Sequence, residues 1–577
     1  MARAPVRVEK PQRWDEPFGP DMTAANVDEI LATELFRDID PELFPPRLPL
    51  RGILLNDTRI VDYHDGDIIV RRGDYGNSAF LVLSGSIRID IGLADKRIPD
   101  SMLGRSESRG KSVFGAIAQL WSNPRWPEAR SLGRGRRGTD LGAYRTTGAG
   151  GPRIFLDVPT VLERFTTVQR GAGTIFGEIA ALGRTPRTAT VFAEGETRLL
   201  EIRWQGLREL RKYAPSIKTL IDQRYRESSL QVHLSEVPLF QHLSKEALEK
   251  IKEATLFETY GDFDWYGSYK QLAEKDAAER LRIEPIIAEE GHYPNGVYLI
   301  RGGFARVSRR FANGHLTLSY RGQGRVYGWR EIAHNWRHGT NYPLQTTLRA
   351  VGYLDVLFVP TAVIEQYVLP TLSEAQFPRP LDVSRSAASS PQEIEAGYGI
   401  SSSTLEFLVE NRFINGTATM LIDLDRCTRC DDCVRACAAA HENNPRFLRS
   451  GPQFSHYMVA NACMHCTDPV CMIGCPTGAI SRNTAGGQVI INDQTCIGCG
   501  TCANNCPYDA IRLVEIRDRK GNVLLDEQSA APIRKATKCD LCAEQLGGPA
   551  CQRACPHAAL RRANMSDLAS LAEWLNR

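Results

Sequence analysis

The chain has 577 residues, 42% hydrophobic and 24% charged, with a formal net charge of +3. It is too long for a single core and is expected to fold as three compact units, and its near-neutral balance excludes a general attraction to nucleic acid. No apolar run reaches the ~20 residues of a membrane-crossing helix, and the N-terminus MARAPVRVEKPQRWDEP has neither a twin arginine nor a hydrophobic signal segment, so folding in the cytoplasm is expected.

Residues 1–27 are polar and proline-bearing, and read as a tail or an arm lying on a neighbour. From 28 to 235 the pattern is a short helix, many short strands and a further helix. Asp65-Gly66, Gly73-Asp74 and Ser84-Gly85 punctuate the runs Ile68–Val70 and Phe80–Leu83. This predicts a small β-barrel or jelly roll flanked by helices. Residues 96–153 interrupt it with an Arg- and Gly-rich insertion of twelve Lys/Arg against four acids. Such a stretch is either a solvated loop or a docking arm for an acidic partner.

Downstream of the insertion, Phe176-Gly177-Glu178-Ile179-Ala180-Ala181-Leu182 and Arg184-Thr185-Pro186-Arg187-Thr188-Ala189-Thr190-Val191 describe a helix start and a loop wrapped around an anion. Backbone donors at a helix N-terminus can hold a phosphate, an arginine can neutralise it, and a carboxylate can accept from a ribose hydroxyl. The segment resembles the phosphate-binding cassette of cyclic-nucleotide-binding domains, as in cAMP-dependent kinase regulatory subunits. The resemblance implies that Glu178 holds the ribose 2′-hydroxyl, that Arg187 holds the cyclic phosphate, and that Gly177, Thr188 and Ala189 line the pocket. The candidate ligand is cAMP or cGMP.

A second unit is expected over 236–375, opening with the helical pattern EVPLFQHLSKEALEKIKEA. Thr347–Gly352 aligns with Thr190–Gly195, so the two units read as copies of one fold. Leu344 falls where Arg187 stands, although Gly328 and Glu331 keep the opening of the cassette. Without the cation the second copy is expected to be structural. Residues 376–400 have the composition of a linker, and 401–577 form the last unit.

All 16 cysteines lie between Cys427 and Cys555. Cys427, Cys430, Cys433, Cys437 and Cys496, Cys499, Cys502, Cys506 both read C-x2-C-x2-C-x3-C. Two variants, Cys463, Cys466, Cys471, Cys475 and Cys539, Cys542, Cys551, Cys555, carry longer gaps before the third ligand. Pro476, Pro507 and Pro556 follow the fourth cysteine in three runs, where Ala438 stands in the other. Sixteen soft thiolates in runs of four fit four iron–sulfur cubanes without remainder. Structural zinc is the competing reading, but it closes each tetrahedron within one site and fits the runs poorly. His465 and His557 stand beside ligands, and with the cysteine demand met they are assigned hydrogen-bonding or packing roles.

CMHCTDPVCMIGCPTGAI, CIGCGTCANNCPYDAI and KCDLCAEQLGGPACQRACPHAAL resemble the iron–sulfur subunits of molybdopterin oxidoreductases and the ferredoxin subunits of membrane-associated [NiFe] hydrogenases, over about residues 415–565. The resemblance implies that the first run pairs with the last and the second with the third, each lending its fourth cysteine across the pair. The implied sets are Cys427, Cys430, Cys433 with Cys555; Cys539, Cys542, Cys551 with Cys437; Cys463, Cys466, Cys471 with Cys506; and Cys496, Cys499, Cys502 with Cys475.

The fold expected is a multidomain α+β chain: two cyclic-nucleotide-binding-like barrels with flanking helices, then a double ferredoxin-like domain for four [4Fe–4S] clusters. The function expected is that of an electron-transfer subunit without substrate chemistry of its own. Its catalytic partner would be a [NiFe] hydrogenase or, next, a molybdopterin oxidoreductase, and its further acceptor either membrane-bound or soluble. The alternatives are a cyclic-nucleotide- or redox-responsive regulator, and barrels that act only as a docking scaffold.

Overall fold

The computed structural model describes residues 6–8, 17–19, 21–90, 98, 126–130, 164–183, 186–220, 230, 234, 237–262, 265–272, 275, 277–311, 314–378, 399–473, 475–483, 487–493, 495–542, 545 and 547–576. The rest of the basic insertion and most of the linker over 376–400 lie outside the described residues. Two compact units are present. One comprises Met1–Glu227, Met420–Pro452 and Met458–Arg561; the other comprises Ser228–Thr419, Gln453–Tyr457 and Arg562–Arg577.

In the first unit the N-terminal strand β1 (Val6–Val8) pairs in parallel with Leu524–Asp526 of the cysteine-rich module. Helix Ala24–Leu31 starts at a capping box, in which the Thr23 hydroxyl accepts from the Asn26 N–H while the Asn26 side chain accepts from the Thr23 N–H. Six strands then build one antiparallel sheet: β2 (Thr58–Tyr63), β3 (Ile68–Val70), β4 (Ser78–Asp90), β5 (Thr167–Gly171), β6 (Ile175–Phe176) and β7 (Val191–Arg203). Their order is β2-β7-β4-β5, with β3 on β7 and β6 on β4. The register of β4 on β7 shifts around Gly85, whose φ is +84° and where a Cβ would stand 2.4 Å from the Glu196 carbonyl oxygen. Only glycine fits that bulge.

Tyr63, Ile69, Phe80, Phe176, Val191 and Leu199 fill the interior behind this sheet. Helices Leu50–Asp57 and Trp204–Tyr213 cover the other side, and their apolar residues form one continuous core with Met472, Ala479, Ile480, Val489 and Ile511 of the cysteine-rich module. The sheet and that module therefore share a hydrophobic interior, although some 200 residues of sequence that belong to the other unit separate them.

The described piece of the insertion, 126–130, also docks on this module. Ala129 bridges Arg517 in parallel, and the Arg130 N–H donates to the Arg517 carbonyl at 2.9 Å. Glu128 is buried and accepts from Arg446 and, at 2.7 Å, from the Asn444 amide, while Arg130 pairs with Asp493. Burial opposes the Glu128 charge, but Arg130 and Arg446 outweigh it and hold its carboxyl below the ordinary value. Its contribution is complete above the unfolded glutamate pKa and is lost as pH falls through the lowered native value.

The second unit repeats the strand order. Its strands are β8 (Leu256–Tyr260), β9 (Ile286–Ala288), β10 (Gly296–Phe311), β11 (Gly314–Arg321), β12 (Val326–Tyr327) and β13 (Thr347–Pro360), ordered β8-β13-β10-β11 with β9 on β13 and β12 on β10. Helix Ser402–Glu410 belongs to this unit: its Ser402 hydroxyl donates to the Thr317 carbonyl at 2.7 Å, and Glu406 pairs with the buried Arg306, which also binds Glu284 at 2.9 Å. Among the described residues no helix is long and apolar enough to cross a membrane.

Replacing Glu128 with Ala removes the carboxylate that anchors 126–130 and should weaken the first unit by about 3 kcal/mol. Expected results are a lower denaturation midpoint and faster tryptic cleavage after Arg130. Unchanged cleavage would mean the anchor lies elsewhere.

Candidate metal centre

Each cysteine run turns the same corner. The residue before the second cysteine is left-handed in all four: Arg429 at φ 60°, His465 at 51°, Gly498 at 66° and Leu541 at 60°. Three of these are not glycine, so the turn is held against local steric cost. At Gly498 there is a further restriction, because a Cβ would lie 1.9 Å from the Arg534 carbonyl oxygen.

Short helices bring distant runs together. Asp432–Ala440, which carries Cys433 and Cys437 of the first run, packs on Ala550–Arg553 of the last, and Val470–Ile473 of the second packs on Thr501–Asn505 of the third. Cys427, Cys430, Cys433 and Cys555 line one cavity together with Arg449 and His557. Cys475, Cys496, Cys499 and Cys502 line another, with Thr477 and Ala536. Cys463, Cys466, Cys471 and Cys506 are mutual electrostatic neighbours, and Cys542 is a neighbour of Cys437, which shares a buried cluster with Cys551.

The donor set suits a metal–sulfur group. Burial, followed by the neighbouring sulfurs Cys463 and Cys506, pushes the Cys466 and Cys471 thiols well above the ordinary cysteine value. Burial and adjacent sulfurs likewise push Cys433 up to about 11 and Cys502 up to about 12. Thiols crowded in this way deprotonate together only when a cation takes up their charge. Backbone N–H groups already point at several sulfurs, from Arg446 to Cys437 at 3.2 Å, Ala550 to Cys542 at 3.4 Å and Ala536 to Cys496 at 3.5 Å. These are the hydrogen bonds that tune a bound cluster.

His465 is buried, and its Nδ1 accepts from the Val489 N–H at 3.0 Å, a hydrogen-bonding role. His557 is exposed at the rim of the first cavity. Sequence reasoning passed over the polar side chains that surround the ligands. His441 bridges the Cys437 carbonyl at 2.8 Å and the Asp540 carboxylate at 2.9 Å; against the effect of burial, Asp540 and Cys437 raise its pKa to about 12. Lys535 and Lys538 are buried in and beside strand Arg534–Thr537. Arg482 is buried and donates to the Thr467 carbonyl at 2.6 Å, to the Gly487 carbonyl at 2.7 Å and to the Cys466 carbonyl. The only sequence signal was a pair of lysines, KATK, immediately before the last run.

The cassette occupies the end of the first sheet. Helix Glu178–Gly183 starts after left-handed Gly177, and Glu178 and Arg187 are both buried. Arg187 donates to the Gly177 carbonyl at 2.7 Å and to the Ser78 carbonyl at 2.8 Å. Burial lowers its pKa to about 10, with Glu201, Glu178 and Asp74 opposing that effect. A Cβ on Gly76 or Gly177 would strike the guanidinium, at 2.2 and 2.4 Å. Thr188 and Ala189 are half-buried beside it. In the second unit helix Trp329–His338 starts after left-handed Gly328, Glu331 is buried, and Leu344 lies in the apolar interior with Tyr327, Leu348 and Val356.

The cassette also reaches the cysteine-rich module. Its backbone is tied to the loop Asp74–Asn77 through the Arg187 N–H on the Asp74 carbonyl at 2.7 Å and the bridge Tyr75↔Pro186. Asn77 donates to the Arg482 carbonyl at 3.1 Å, and the Arg482 guanidinium lies 4.7 Å from the centre of the Tyr75 ring.

Residues 454–565 match the family described as 4Fe-4S dicluster domain, and residues 161–213 match the cyclic nucleotide-binding domain. The electron transport protein HydN of Escherichia coli is 35% identical over 26% of this chain and 86% of its own length. A component of the anaerobic dimethyl sulfoxide reductase of Haemophilus influenzae is 34% identical over 25% of this chain and 73% of its own length. Hydrogenase-4 component A of Escherichia coli is 33% identical over 23% of this chain and 77% of its own. Through its cysteine-rich module, joined here to a cyclic nucleotide-binding domain, this protein belongs to the family of iron–sulfur electron transport proteins represented by HydN.

Proposed function

We propose that the chain is the electron-transfer subunit of a multisubunit oxidoreductase, relaying single electrons through four [4Fe–4S] clusters between a catalytic subunit and a further acceptor. A [NiFe] hydrogenase is the first candidate for the catalytic partner and a molybdopterin oxidoreductase the second, in keeping with the two complex-forming relatives named above. The observation that carries the reading is the convergence of cysteines from separated runs, Cys427, Cys430, Cys433 and Cys555 on one cavity and Cys475, Cys496, Cys499 and Cys502 on another. The clusters would be held by Cys427, Cys430, Cys433 and Cys555; by Cys539, Cys542, Cys551 and Cys437; by Cys463, Cys466, Cys471 and Cys506; and by Cys496, Cys499, Cys502 and Cys475.

Bound iron and sulfide supply reversible one-electron chemistry at each set. The chain's own residues set where electrons enter and leave. Cys430 and Cys499 are the exposed cysteines, and they belong to different sets. Those two sets are the ports, and the sets of Cys463 and Cys539 are the buried middle of the relay.

A cyclic nucleotide bound at Gly177, Glu178, Arg187, Thr188 and Ala189 would modulate the relay. The observation that favours this is the path from the cassette backbone through Tyr75 and Asn77 to Arg482 and the Cys466 carbonyl. A phosphate would take over guanidinium donors that now serve the Gly177 and Ser78 carbonyls. The second six-stranded sheet, with Leu344 in place of that cation, would be a degenerate and structural copy.

Three measurements test these statements. Anaerobically prepared chain should contain about sixteen irons; an iron-free, folded and active preparation would sink the reading. Gly498→Ala, which forces a methyl group against the Arg534 carbonyl, should lose about four of them, whereas full loading would show that the turn relaxes freely. Calorimetry with cAMP and with cGMP should give heat with the native chain and none with Arg187→Ala; heat from neither protein would remove the nucleotide from the account.

A further inference from the structure

The cysteine-rich module buries two lysines three residues apart, and their surroundings differ. Lys535 donates to the Asp493 carbonyl at 2.7 Å and to the Cys496 carbonyl at 2.5 Å. Both acceptors border a single cysteine run, and Ala536 beside it donates to the Cys496 sulfur. Lys538 donates to the Cys539 carbonyl at 3.0 Å and to the Val489 carbonyl. Val489 in turn holds His465, between Cys463 and Cys466, so the two carbonyls on Lys538 belong to segments that shape two different sets.

We propose that Lys538 is a counter-charge shared by the two interior cysteine sets, that of Cys463, Cys466, Cys471 and Cys506 and that of Cys539, Cys542, Cys551 and Cys437, and that it raises the reduction potential of both. The inference rests on the four-cluster reading above. An electron arriving at a buried site adds one negative charge where water cannot screen it, so a fixed cation within the same low-dielectric interior favours the reduced form. Lys538 is held in place by two carbonyls, that of Val489, which bonds to His465 of one set's loop, and that of Cys539 of the other set, and it is 7% exposed. Its Nζ donates to both carbonyls, and Cys463, Cys471 and Cys539 are its charge neighbours. Asp540 is the carboxylate that faces it, and that group is bonded to His441. Lys535, by contrast, serves the Cys496 set alone.

The two lysines therefore predict different patterns of change in one experiment on the full chain. Redox titration of the loaded protein, followed by electron paramagnetic resonance, should show Lys538→Gln lowering two of the four potentials by at least tenfold in electron affinity, about 59 mV each. The other two should stay in place. Lys535→Gln should lower one. Lys538→Arg, which keeps the charge, should retain the native potentials. Should Lys538→Gln fail to load clusters, full loading of Lys538→Arg would support the need for a charge at this position, and loss of clusters from both would overturn it. Four unchanged potentials in a loaded Lys538→Gln, or four that fall together, would also overturn the shared counter-charge. A native chain without clusters would instead sink the reading on which the inference rests.

Discussion

The constraint that the rest of the structure answers to is the withdrawal of thiols from water. Apart from Cys430 and Cys499, the cysteines are buried or half-buried, and neighbours of like charge surround them. Sulfurs placed in this way cannot ionise as a group in an apolar interior unless a cation meets them. The left-handed corner before each second cysteine, the paired short helices and the amide donors aimed at sulfur all serve one arrangement, in which four thiolates converge on one volume and water is kept out. A structural zinc site needs four ligands but not this degree of seclusion or this repetition of one turn in four places.

The half of the module around Cys437 and Cys551 has its own core of Met420, Ile422, Phe447, Met458 and Leu560, whereas the half around Cys471 and Cys502 shares the interior of the first sheet and its helices. The joint is unusually polar at its edges. Arg482 caps main-chain carbonyls of a ligand loop while its ring neighbour Tyr75 comes from the sheet, and Glu128 from the insertion holds Arg446, whose own N–H donates to the Cys437 sulfur. Buried ion pairs of this kind contribute less to net stability than to holding one arrangement, because a shifted joint would leave a charge unpaired. The sheet thus acts as a wall of the electron-transfer module as well as a candidate binding domain.

Much of this was legible in the sequence, for identifiable reasons. Cysteine spacing is a local signal, and the four runs could be read directly. The cassette from Gly177 to Thr190 and the repeat between Thr190–Gly195 and Thr347–Gly352 were also local, and the two sheets share one strand order. What could not be read were pairings across long stretches of chain. Val6–Val8 on Leu524–Asp526 and Ala129 on Arg517 are backbone matches with no side-chain signature. The insertion's charge suggested either a solvated loop or an arm for an acidic partner; the described residues 126–130 instead pack on the same chain, with buried Glu128 on Arg446. Lys535 and Lys538 carry no spacing signal in the sequence, and the carbonyls they donate to accompany their burial.

The two sheets differ most where Arg187 stands in one and Leu344 in the other. Arg187 lies in an interior that has been made polar for it, with Glu201, Glu178 and Asp74 close by and two carbonyls as acceptors. Removing the arginine alone would leave Glu201 with Arg59 and Asp74 with Arg71, but would take the donors from the Gly177 and Ser78 carbonyls. In the second sheet Leu344 is packed among apolar side chains, and the buried Glu331 has its pKa raised by burial, opposed chiefly by backbone donors. A cation placed at Leu344 would therefore enter an apolar surrounding. The sheet with Arg187 is also the one whose loop bonds to Arg482, which in turn donates to the Cys466 carbonyl.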